Sequence, residues 1–130
     1  MEPAANTPSP RPSILDAEQL DQLRELPGSG DGTLLDELIE IVVRDVPPDL
    51  ARLRLMVQQR ASAEVAQLAH RVAGSAASLG AISLRLVLHE IEQAGRKSDW
   101  PAADKTLATL DQEWAGTRAA LLKLSSRPPS

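Results

Sequence analysis

The sequence predicts an all-α protein, and three observations carry that prediction. The chain of 130 residues contains no Phe and no Tyr, whereas sheets draw on aromatic and β-branched residues. Leu and Ala dominate in their place, and both are strong helix formers. Apolar residues recur at spacings of three and four, and no segment alternates with a period of two. The length favours a single domain, and 42% hydrophobic residues are too many for a disordered chain.

Each element can be justified in order. Asp16 is placed to cap a short first helix over 16–26, which Pro27-Gly28 ends. A loop over 29–32 follows. Thr33 caps a second helix with Leu35, Leu38, Ile39, Val42 and Val46 on one face. Pro47-Pro48 predicts the end of that helix and puts a proline in the first turn of a third, over 48–60, with Leu50, Leu53 and Val57 as its stripe. Ser62, with Glu64 behind it, opens a fourth helix to Leu79, and Gly80 suits its C-terminal cap. A fifth, over 82–97, carries Leu84, Val87, Leu88 and Ile91. Ser98 or Asp99 caps a sixth, with Pro101 in its first turn, which reaches Leu124 through Leu107, Leu110, Trp114 and Leu121. Trp100 reads as a plug at the end of the bundle. The expected architecture is an antiparallel up-down four-helix bundle over 14–124 with one or two short N-terminal capping helices. The Pro-rich residues 1–13 and the last residues, 125–130, read as flexible tails.

Composition excludes several kinds of chemistry. The absence of Cys removes disulfide scaffolds, thiolate metal sites and thiol nucleophiles. A formal charge of −4 argues against a nucleic-acid partner. No apolar run approaches membrane-spanning length, and the first residues lack the apolar core of a secretion signal, so the expectation is a cytoplasmic protein without membrane insertion. Gly-rich phosphate loops and nucleophile elbows are missing. His70, His89 and Glu92 do not have the spacing of a zinc site, so no metal site is expected.

The fourth helix carries an unusual face. On a helical wheel, Val65, Leu68, Val72, Ala76 and Leu79 fall within roughly 80° of arc, and His70 lies about 150° from their centre. An exposed helix face normally carries long polar residues. Around His70 the neighbours are Ala66, Gln67, Ala73, Gly74 and Ala77, four of them with almost no side chain. Gly74 costs about 1 kcal/mol of helix stability relative to Ala. An imidazole standing above small residues suits a flat partner that must approach the ring closely.

The stretch Ala69-His70-Arg71-Val72-Ala73-Gly74-Ser75-Ala76-Ala77-Ser78-Leu79-Gly80-Ala81 resembles the signature of histidine-containing phosphotransfer (HPt) domains, Ala-His-x-Leu-Lys-Gly-Ser-Ser-x-x-Leu-Gly-Ala. The opening Ile14-Leu15-Asp16, the Leu-rich second helix and the Pro47-Pro48 pair are also similar to bacterial members. The resemblance spans about 14–124. It implies a four-helix bundle whose histidine, here His70, accepts a phosphoryl group from a receiver-domain aspartyl phosphate and passes it to another receiver. Ala66, Gln67, Ala73, Gly74 and Ala77 would form the docking surface. The implied partners are response-regulator receiver domains, including that of a hybrid sensor histidine kinase. The protein would be a monomeric phosphocarrier with no cofactor of its own and no ATP-dependent kinase activity, the divalent metal residing on the receiver. An exposed imidazole suits the role, because an ordinary one is mostly neutral at cytoplasmic pH and offers a nucleophilic nitrogen.

The sequence departs from the signature at one position of consequence. The family's Lys, three residues after the histidine, is Ala73. In an antiparallel hairpin turning near Ala81, residues whose numbers sum to roughly 162 lie at one height. His70 is then level with Glu92, and Arg96 lies roughly 6 Å beyond it. Arg96 is the first expectation for a replacement phosphoryl-neutralising cation, ahead of His89 and Arg71. The plainer alternative for these residues is a solvated face with Glu92–Arg96 as an ordinary i, i+4 pair. The alternative for the protein is a module that docks a receiver without transferring phosphate.

Overall fold

The computed structural model describes residues 14–28, 30 and 32–125. The predicted tail 1–13 and residues 126–130 lie outside the described residues. Among the described residues five helices follow one another: α1 (Ala17–Arg24), α2 (Leu34–Gln58), α3 (Ser62–Ser78), α4 (Ile82–Arg96) and α5 (Trp100–Leu124). Among the described residues the only β-type pairing is a single bridge between Pro27 and Thr33, so the all-α expectation holds. The helices α2 to α5 form the bundle. α3 and α4 share the most extensive seam, α4 packs on α5, and contacts of α2 with α3 and α5 close the ring.

The helix starts follow the predicted caps. Asp16 accepts the Gln19 amide at 3.2 Å. Thr33 and Asp36 form a reciprocal capping box, both bonds 3.2 Å. At α5 it is Asp99, not Ser98, that caps, accepting the Ala102 amide at 3.2 Å with Pro101 in the first turn. Ser62 begins α3 but does not cap it. Its hydroxyl instead donates across the seam to the Gly95 carbonyl.

One expected boundary is absent. Pro47 and Pro48 do not separate two helices; they lie inside α2, which runs unbroken for 25 residues. A proline inside a helix costs about 3 kcal/mol, because it removes a backbone bond and crowds the preceding turn. Here both prolines are exposed, on the side where water can serve the freed carbonyls. The opposite side buries Val42, Val46, Leu50, Leu53 and Val57, all at most 4% exposed. Five such side chains at about 1.5–3 kcal/mol each outweigh the prolines. The second and third predicted helices are therefore one bundle helix, and among the described residues α1 is the one capping helix.

The turns between bundle helices share one construction. After α3, the Ala81 amide bonds the Ala76 carbonyl and the Gly80 amide the Ala77 carbonyl, with Gly80 at φ +60°. The same pair of bonds closes α2 at Arg60 (φ 56°) and α4 at Ser98 (φ 52°). All three are Schellman turns, but only one has the glycine that makes such a turn visible in sequence. Arg60 stacks its guanidinium over Trp100, 5.4 Å from the ring centroid. Trp100 is half-buried against the core at that end of the bundle, as its place beside Pro101 suggested.

Candidate functional site

The wheel of α3 resolves as the sequence indicates. Val65, Leu68, Ala69, Val72 and Ala76 are buried, and Leu79 follows them into the core. His70 points outward with 74% of its side chain exposed. The C-terminal end of α3, which carries Gly74 and Ala77, is fixed by α1. The Gln19 side-chain amide donates to the carbonyls of Ala77 (2.8 Å) and Ser78 (3.1 Å), and the Asp16 amide bonds the Gly80 carbonyl at 2.7 Å. Gln19 thus acts as a C-terminal cap supplied from another helix, a role no local sequence pattern signals.

The small residues around His70 divide into two groups. Gln67, Gly74 and Ala77 are exposed, and Ala73 is half-buried. Ala66, expected on the docking surface, is instead buried at 8%. The reason is Gly95, whose lack of a side chain lets α4 come close to Val65 and the Ala66 backbone. Gly74 has no such role, because a Cβ there would meet nothing within 4 Å. Among the described residues nothing requires a glycine at that position.

The level predicted for Glu92 holds, but its environment does not. Its side chain is only 6% exposed, so it does not belong to a solvated face. Its carboxylate lies against the His70 Nδ1, at 3.2 and 3.3 Å from its two oxygens. Arg96 donates to the same carboxylate at 2.6 Å, and the His89 Nδ1 lies 3.9 Å from it. Burial pushes the Glu92 carboxyl up, but the hydrogen bonds from Arg96 and His70, together with their charges, outweigh burial and hold it below its ordinary value. An ionised carboxylate only accepts, so Nδ1 must carry the hydrogen of a neutral His70. The lone pair is then on Nε2, the ring atom turned away from Glu92.

The three predicted cations are placed differently. Arg96 and His70 line one depression together with Ser62, Ala63, Ala66 and Gln67. His89 lies on the other side of the ring, in a depression shared with Ala73, Gly74, Ala77 and Arg85. Arg71 is turned away to α2, where it bonds Asp49 at 2.9 Å. Among the described residues no group of three or more His, Asp or Glu side chains is placed to hold a metal ion. No helix among them is long and apolar enough to cross a membrane.

Comparison with known proteins bears on the fold and the family. No curated protein matches the sequence significantly. A histidine-containing phosphotransfer protein from maize has a similar crystal structure, with a TM-score of 0.73 at 23% identity over 85% of this chain and 84% of that one. At that identity the likeness concerns the fold. The sequence model of the Hpt domain matches residues 37–120, well over half of the chain and all of the α3–α4 hairpin that presents His70. The chain belongs to the Hpt domain family, whose members are phosphocarriers of two-component relays rather than kinases.

Proposed function

We propose that His70 is the phosphoryl acceptor of this Hpt domain and exchanges the group with receiver-domain aspartates. The observation that carries the reading is the pairing of an exposed imidazole with a buried carboxylate on its Nδ1. That pairing leaves the lone pair on Nε2, the nitrogen away from Glu92, on an exposed ring that borders the small side chains of Ala73 and Ala77.

The step needs little covalent work from this chain. The Nε2 lone pair attacks phosphorus, the N–P bond forms, and the P–O bond to the receiver aspartate breaks. The electron pair leaves with the aspartate as a carboxylate. Attack by the carboxylate of a second receiver reverses these changes. Throughout, Glu92 holds the Nδ1 hydrogen and fixes the ring's orientation. The receiver brings the divalent cation that the reaction uses, and this chain has no cofactor of its own.

Gln67, Ala73, Gly74 and Ala77 form the part of the docking surface open to a receiver. Ala66 supports it from below. Arg96 and His89 flank the position the phosphoryl group takes, and stand in for the Lys that Ala73 replaces. Arg71, held on Asp49, contributes least. The protein works as a cytoplasmic monomer, taking its group from the receiver of a hybrid sensor kinase.

The test is labelling from a phosphorylated receiver. The expected product is an acid-labile, alkali-stable phosphoprotein that does not form with His70→Gln. Label that persists in the variant, or is absent from both proteins while the receiver still binds, would overturn the reading in favour of a docking module without transfer.

A further inference from the structure

The Glu92 carboxylate is nearly excluded from solvent, yet it serves two exposed hydrogen-bond donors at once. Arg96 and the His70 Nδ1 both lie on Oε2, at 2.6 and 3.2 Å. A buried carboxylate with an imidazole as its only partner favours the protonated imidazolium, because the ion pair lowers the cost of burying the negative charge. Protonation would place a hydrogen on Nε2 and remove the lone pair used in transfer. A second, permanent cation on the same carboxylate removes that incentive. Arginine suits this position because it stays charged at every relevant pH.

We propose that Arg96 is a positioning residue that keeps His70 neutral at neutral pH by saturating Glu92. This deepens the phosphocarrier reading and rests on it for its biological meaning, although the protonation claim stands without it. Arg96 acts on the ring through the carboxylate, in the resting protein, before any phosphoryl group arrives. The groups facing His70 are few. α4 supplies Glu92, Arg96 and, on the far side, His89 and Arg85. α3 supplies uncharged Gln67 and Ala73, since Arg71 is turned to Asp49. Among the described residues, Arg96 is the one cation that bonds Glu92 without giving up its charge in the neutral range.

The experiment is a histidine-resolved NMR titration of the unphosphorylated protein. The chain has two histidines, and His89→Gln assigns their signals. In Arg96→Met, which keeps the aliphatic stem, the His70 titration midpoint moves up by about one pH unit. Arg96→Lys restores most of the original midpoint. In a Glu92→Gln background, Arg96→Met moves it far less, because the carboxylate through which Arg96 acts is gone. An unchanged midpoint in Arg96→Met would overturn the proposal. So would an equal shift in both backgrounds, which would mean that Arg96 acts on the ring directly. Neither result bears on whether His70 accepts phosphate, because no receiver is present. If transfer does occur, part of its rate loss in Arg96→Met is recovered as pH rises, the remainder being the loss of Arg96 as a neutralising cation, whereas a loss constant with pH would contradict the proposed route.

Discussion

Two glycines, one on each helix of the α3–α4 hairpin, occupy opposite situations. Gly95 sits where α4 comes closest to α3, and a Cβ there would lie 2.8 Å from the Val65 Cγ1 and 3.2 Å from its Cβ. Val65 is fully buried, so it has nowhere to move. Gly74 faces outward beside His70 in open space. Both glycines cost helix stability, by about 1 kcal/mol each. For Gly95 the return lies inside the molecule, in a close seam that also seats the Ser62 hydroxyl on the Gly95 carbonyl. For Gly74 no return is found among the described residues, which directs attention to an approaching partner. Residues of one type, on neighbouring helices, thus answer to different selections, and the space around each Cα tells them apart.

The contrast can be broken by substitution. Gly95→Ala should destabilise the fold by about 1–2 kcal/mol, the overpacking cost less the helix-propensity gain, seen as a lowered denaturation midpoint. Gly74→Ala should do the reverse and raise stability by up to about 1 kcal/mol, while slowing transfer from a phosphorylated receiver. A stabilised Gly74→Ala that transfers at the wild-type rate would end the reading of Gly74 as an access residue.

The same seam separates Glu92 from ordinary surface acids, and pH sharpens that difference. Its carboxyl is held below the ordinary value of 4.5 in the folded protein. The ionised pairing therefore contributes stability that is fully present above the unfolded value and is lost as pH falls through the lower folded one. Thermal melts of wild type and Glu92→Gln should converge as pH is lowered from about 5 to about 3. A gap that stays constant would mean that the charge of Glu92 contributes nothing to stability.

Much of this was legible in the sequence, and the exceptions have physical causes. The stripes of α3, α4 and α5 could be read because helical periodicity is a local property, and the exposure of His70 followed from the same arithmetic. The level of Glu92 opposite His70 followed from hairpin geometry. Its burial did not, because a carboxylate on a polar stripe looks solvated until a neighbouring helix covers it. The prolines of α2 misled because their local cost is real, but a continuous buried stripe on the other face exceeds it. Gln19 capping α3, and Arg71 turning to Asp49 on α2, depend on contacts between distant segments that no short pattern encodes. Arg60 and Ser98 lack the glycine that would have announced their left-handed turns.

We propose the Nε2 of His70 as the reactive atom because Glu92 occupies Nδ1. Phosphorylating the protein from a receiver and locating the group by phosphorus–nitrogen correlation on a histidine-labelled sample tests this directly. A single phosphoryl group on the Nε2 of His70 is the expected result. A phosphoryl group on the Nδ1 of His70, or on His89, would contradict it.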